Sequence, residues 1–189
     1  MKNENIKYLI TYIIMMSIED LESISLSNVE VMNLIGNKAN IIQYPELRFY
    51  ENIDDILEPY GACIILFLTR ENYGHWTCVF KVDENTIEYF DPYGLFIDEA
   101  LDFKMNEYFR YKNHQNFAHL TWLLLNSRYE ITYNEHKFQQ KKKGISTCGR
   151  HTAMRLILRE LSLEEYKDFI YSFNLNPDKL VTLLTIYIN

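Results

Sequence analysis

Apolar residues in this chain fall either in short unbroken runs or at the three-to-four-residue spacing of a helix face. Tyr8 to Met16 is an apolar run that predicts a helix packed on the core, since it is too short to span a bilayer. Ser27 and Glu30 have the spacing of a capping box, and Gly36 stands where the helix they open would stop. Asn52 to Glu58 predicts a short helix closed by Pro59. Ala62 to Leu68, ACIILFL, predicts a buried strand. Two β-rich runs, Trp76–Val82 and Thr86–Phe90, flank the polar turn Asp83-Glu84-Asn85 and predict a hairpin. Residues 98–110 predict helix, residues 117–125 fit either a buried helix or a strand, and Tyr129–Phe138 predicts a further strand.

The last third reads as helical. Residues 147–161 place Ala153, Leu156, Ile157 and Leu161 at helical spacing. Ser162 and Glu165 form a second capping box, opening a helix to about Phe173. Asn176-Pro177 is an N-cap followed by proline at the first helical position. The expected fold class is α+β, with a small, mostly antiparallel central sheet flanked by helices. No repeat or Pro/Gly-rich linker divides the 189 residues, so one domain is expected over residues 1–189.

Composition narrows the function classes. The apolar fraction of 48% excludes a disordered chain. The net charge of −7 argues against a general nucleic-acid binder, and the basic run Lys141-Lys142-Lys143 reads as a solvated loop. Three cysteines, Cys63, Cys78 and Cys148, make no disulfide framework and point to a reducing compartment. The N-terminal apolar run lacks a small-residue cleavage site, so a soluble intracellular protein with no membrane partner is expected.

The hairpin carries the first chemistry. If Val82 faces Thr86 across the turn, His75 faces Tyr93, and Asp91 lies two positions off on the same side of the sheet. A carboxylate bonded to one imidazole nitrogen fixes the tautomer and leaves the other nitrogen free to take a proton. Cys148 stands at the predicted start of a helix, where a thiolate is stabilised. Its own amide can point at a developing oxyanion, and Gly149 lets a substrate backbone approach. A glutamine amide near the cysteine would be a second oxyanion donor. Gln139 is favoured because the apolar Phe138 anchors it, and Gln140 is the near alternative.

His75-Trp76, then Phe90-Asp91-Pro92-Tyr93-Gly94, then a glutamine, then Thr147-Cys148-Gly149-Arg150 resembles the adenovirus maturation protease (adenain) family. Its relatives include proteases of large DNA viruses, virophages and Polinton-type transposons, and the SUMO-specific proteases. The resemblance covers residues 74 to about 160. It implies a papain-like fold and a cysteine endopeptidase. His75 would be the general base, Asp91 its orienting partner, Cys148 the nucleophile, and Gln139 a lining of the oxyanion hole. Trp76 would narrow the substrate cleft and favour glycine or other small residues beside the scissile bond. The implied substrates are capsid or core precursor proteins, cleaved in the host cytoplasm or a viral factory by an enzyme packaged in the virion. A deconjugating protease acting on ubiquitin-like tails is the alternative within the same resemblance. The adenoviral enzyme is basic and uses DNA and a peptide cofactor. For this acidic chain neither a nucleic acid nor a peptide activator is evident, and no cofactor is expected.

Each residue also has a plainer reading. Asp91 before Pro92 fits a turn residue, Trp76 fits the core as well as a cleft wall, and Cys63 fits the core. His151 follows Cys148 by one helical turn and is a lesser candidate for the base. His75-x-x-Cys78 and Cys148-x-x-His151 together imitate a four-ligand zinc site. Strand residues three apart point to opposite faces, however, so no metal is expected.

Overall fold

The computed structural model describes residues 17–71 and 73–186. The helix expected over Tyr8–Met16 lies outside the described residues. Five strands form one sheet in the order β1-β2-β3-β4-β5: β1 (Asn40–Gln43), β2 (Ala62–Arg70), β3 (Tyr73–Lys81), β4 (Thr86–Phe90) and β5 (Glu130–Tyr133). The β2–β3–β4 centre is antiparallel, whereas β1 pairs with β2 and β5 with β4 in parallel. The sheet is therefore mixed rather than mostly antiparallel. Parallel edge strands need long crossovers, and here residues 44–61 and 91–129 supply them.

The hairpin register follows from its turn. The Val82 N–H donates to the Thr86 carbonyl at 2.9 Å, Lys81 pairs with Ile87, and Cys78 pairs with Phe90. Alternate residues of the central strands enter two apolar cores. Ile64, Leu66, Trp76, Cys78, Phe80 and Phe90 face one of them. That core is closed by α2 (Asn28–Leu34), α7 (Cys148–Ile157), α8 (Leu163–Ser172) and α9 (Pro177–Ile186). Cys63, Ile65, Phe67, Val79, Ile87 and Tyr89 face the other. It is closed by a 3-10 helix (Tyr44–Phe49), α3 (Ile53–Leu57), α4 (Ala100–Lys104) and α6 (His119–Leu125). The two remaining helices are short: α1 (Ile18–Ser23) and α5 (Glu107–Lys112).

Local signals place most helix ends. Ser27 and Ser162 each accept the N3 backbone N–H, and Glu30 and Glu165 reach back to the cap residue. Gly36 takes the left-handed conformation past α2 (φ 62°). Residues 98–110 are two short helices rather than one, because Asn106 caps the second by accepting from the Phe109 N–H. The ambiguous segment 117–125 is helical from His119. The strand expected over Tyr129–Phe138 is limited to Glu130–Tyr133. It ends where the Asn134 side chain takes both the N–H and the carbonyl of Asp91. Ile157, expected on the buried face, is 39% exposed.

The helix carrying Ile157 also stops earlier than expected, because Arg155 intervenes. This arginine is fully buried between the Phe80 and Tyr166 rings. It grips Glu88 of β4 through two bonds of 2.7 Å and donates to the carbonyls of Leu158 and Leu161. Burial pushes the Glu88 carboxyl above its usual range despite the arginine. A buried fork of this kind costs desolvation, and removing one partner leaves a charge with no countercharge. Arg155→Met or Glu88→Gln is therefore expected to lower unfolding free energy by about 3–5 kcal/mol, read by urea denaturation. The double change Glu88→Leu/Arg155→Met should recover most of that loss. Single variants within about 1 kcal/mol of wild type would show that the pair does not hold α7 to the sheet.

Candidate active site

β3 delivers His75 and the end of β4 delivers Asp91. The His75 Nε2 lies 2.9 Å from Asp91 Oδ2, and both side chains are buried. A carboxylate only accepts, so Nε2 carries the proton and Nδ1 is left for another partner. Nδ1 itself has no hydrogen-bond partner, and Cys148 acts on the ring from the start of α7. Burial depresses the imidazole pKa. The charge and hydrogen bond of Asp91, with the influence of Cys148 added, outweigh it and raise the pKa to about 9. The pair's stabilisation is thus complete below the unfolded value near 6.5 and is lost as pH rises through about 9.

Asp91 is an orienting residue and a turn residue at once. Its Oδ1 accepts the Tyr93 N–H at 2.7 Å, and its carbonyl accepts the Gly94 N–H at 2.8 Å. Gly94 sits at φ 67°, and a Cβ there would lie 2.6 Å from the Glu135 carbonyl oxygen. Tyr93, in the turn that follows β4, stacks on the imidazole at 4.9 Å between centroids. The Tyr89 hydroxyl adds a long contact of 3.5 Å to Asp91 Oδ2.

Cys148 is the first residue of α7 and is half-buried, whereas Cys63 and Cys78 are buried outright. Burial also pushes the thiol pKa of both buried cysteines up. Cys148 lines a cleft of about 350 Å³, with Trp76, Leu26, Tyr73 and Ser25 among its walls. Trp76 is both wall and core. It is 6% exposed, and its indole N–H donates to the Leu26 carbonyl at 3.2 Å. Gly149 is buried, and a Cβ there would meet Trp76, Val31 and Leu26 at 3.1–3.3 Å. The close approach it permits is thus made by the protein's own side chains, not by an open cleft.

Gln139 is buried, and its N–H donates to the Pro92 carbonyl at 2.8 Å, which ties it to the Asp91 turn. Its side-chain oxygen has no hydrogen-bond partner. Gln140 is exposed, and its backbone N–H binds Asp178. Lys141, Lys142 and Lys143 are exposed, with the Lys141 ammonium 5.8 Å from the Tyr93 ring centre. His151 is buried and bonds Asp178, a carboxylate 27 positions away that no local motif announces. Asn134 likewise had no sequence signal. Tyr93 did, as the residue facing His75.

His75 and Cys78 alternate along β3, and Cys78 points into the core under α7. Among the described residues no group of three or more His, Cys, Asp or Glu side chains is arranged to hold a metal ion. No described helix is long and apolar enough to cross a membrane.

No family model matches the chain. It is 41% identical over 169 residues to a Sputnik virophage protein named "Uncharacterized protein V9", an alignment covering 87% of this chain and 96% of that one. At that identity over nearly the full length of both, the chain belongs to the family of this virophage protein.

Proposed function

We propose that the protein is a papain-like cysteine endopeptidase of the adenain type, with a Cys148-His75-Asp91 triad. The observation that carries this reading is a buried imidazole bonded to Asp91 through Nε2, its Nδ1 left unpartnered, with Cys148 acting on the same ring from the first residue of a helix. An imidazolium and a helix N-terminus both favour the thiolate. The thiolate attacks a peptide carbonyl, and His75 gives its proton to the leaving amine. Water then attacks the acyl-enzyme with His75 as base. The developing oxyanion is met by two N–H donors, the Cys148 amide and the Gln139 side-chain NH2. The role proposed is cleavage of capsid or core precursor proteins inside an assembling particle, and of this only the viral setting draws on the virophage relative.

Cys148→Ala is expected to abolish peptide cleavage while leaving the unfolding midpoint near wild type. A thiol-reactive probe should label Cys148 and spare the buried Cys63 and Cys78 in the native protein. Substantial cleavage by the Cys148 variant would defeat the assignment.

The raised His75 pKa sets the alkaline limb. kcat/KM should fall as pH rises through about 9, where the imidazolium is lost. Asp91→Asn should move that limb to lower pH and cut turnover by roughly two or more orders of magnitude. A limb that stays in place, with turnover near wild type, would leave Asp91 as a turn residue only.

Trp76 and Leu26 crowd the cleft beside Cys148. Profiling with a peptide library should therefore place cleavage next to glycine or another small residue. A preference for large residues on both sides of the cut would contradict this, and selective release of ubiquitin-like tails would assign the chain to the deconjugating branch.

A further inference from the structure

Three donors converge on one buried carboxylate that the triad does not use. Asp178 lies in the first turn of α9 and has no exposed surface. Its Oδ1 accepts the Thr147 hydroxyl at 2.5 Å and the His151 Nε2 at 3.0 Å. Its Oδ2 accepts the Gln140 backbone N–H at 3.0 Å. Its own N–H donates to the Asn176 side-chain oxygen at 2.9 Å, which fixes it to the start of α9. Thr147 directly precedes Cys148, and Gln140 directly follows Gln139. The two oxygens of one rigid group therefore hold both ends of the segment between the glutamine and the cysteine.

A second effect falls on the same helix terminus. A threonine at an N-cap ordinarily turns its oxygen back to accept an N–H of the first helical turn. Thr147 occupies that position in α7 with a non-extended backbone (φ −95°, ψ 6°) and makes no such bond, and its hydroxyl donates to Asp178. A buried carboxylate costs desolvation that an apolar side chain would not, and here three donors offset that cost.

We propose that Asp178 is a positioning residue. It sets the distance between the Gln139 segment and the start of the Cys148 helix. This rests on the reading of Cys148 as the nucleophile. Asp178 touches no reacting atom, so its loss acts on the oxyanion geometry and not on the thiolate–imidazolium pair.

The test compares D178N, T147V and T147S with wild type on one fluorogenic peptide, alongside the rate of Cys148 alkylation by iodoacetamide. Alkylation forms no oxyanion and reads the thiolate alone. An amide at 178 has one accepting corner, and its NH2 must face a donor. D178N is expected to lower kcat about 10- to 100-fold, a part of what losing a whole oxyanion donor costs. KM and the alkylation rate should stay within about threefold of wild type, since neither depends on the oxyanion. T147V should show the same split, and T147S, which restores the hydroxyl, should recover most of the lost kcat. If D178N does not fold, the T147V and T147S pair decides. Folded D178N and T147V with wild-type kcat would overturn the proposal, as would equal loss of kcat and alkylation. A wild-type protein that neither cleaves peptides nor alkylates rapidly at Cys148 would instead defeat the nucleophile reading, and this one with it.

Discussion

The seating of α7 on the sheet is the constraint on which the site depends. Cys148 reaches His75 only because the helix that begins with it is pinned at two further points along its length. One turn on, the Thr152 hydroxyl donates to the carbonyl of Trp76, the residue next to His75. Two turns on, Arg155 forks onto Glu88, three residues before Asp91. The two tie points thus address the two strands that carry the acid–base pair. A helix rises about 1.5 Å per residue, so the ties and the thiol lie along roughly 10 Å of one rigid rod. Gly149 completes the fit, since any side chain there would push the helix start off Trp76.

Buried polar groups are expensive, and their partners explain where they sit. Asp91 accepts from the His75 ring and the Tyr93 N–H, and its backbone is satisfied by Asn134 and Gly94. Asp178 accepts from three donors. On the other face of the sheet, Asp98 is treated alike, accepting from the Tyr44 hydroxyl and the Thr121 N–H. Asp98 closes a loop against the 3-10 helix, whereas Asp91 holds the His75 ring and Asp178 holds Thr147, the residue before Cys148. The low dielectric that makes these groups costly to bury also strengthens the field each exerts on its neighbour. That is why Asp91 outweighs desolvation and keeps the His75 imidazolium in place well above its ordinary pKa.

What could be read from the sequence was local. The hairpin register followed from a turn of a few residues, and with it came the juxtaposition of His75 with Asp91 and Tyr93. Both serine capping boxes, the Gly36 stop and the Asn176-Pro177 start followed from near-neighbour chemistry. What could not be read depends on distant partners. The parallel pairing of β1 and β5 leaves no mark in their own residues. The early end of β5 depends on Asn134 meeting Asp91, and the early end of α7 on Arg155 meeting Glu88. His151 looked like a spare base because the carboxylate that holds it lies on another helix. Gly149 was read as an opening for substrate, yet the space it leaves is filled by Trp76, Val31 and Leu26. The α+β class and the flanking helices stand, while the sheet is more mixed than its antiparallel centre foretold.

The four-residue turn from Asp91 to Gly94 joins the parts of the site that no single element could join. Its first residue bonds the base. Its third residue stacks on the same imidazole, which restricts the ring to the plane that Asp91 can reach. Its second residue is proline, which has no N–H to satisfy, but whose carbonyl accepts the N–H groups of both Phe138 and Gln139. Gln139 is therefore positioned by the residue adjacent to Asp91, and Gln140 by the carboxylate that also holds Thr147. The chain from His75 to Cys148 closes through two bonds at one glutamine pair: forward through Asp178 to the helix start, and back through Pro92 to the base. A displacement at either end moves the carboxamide relative to the thiol. Sensitivity at this glutamine pair thus follows from connectivity, whatever residue the amide finally contacts.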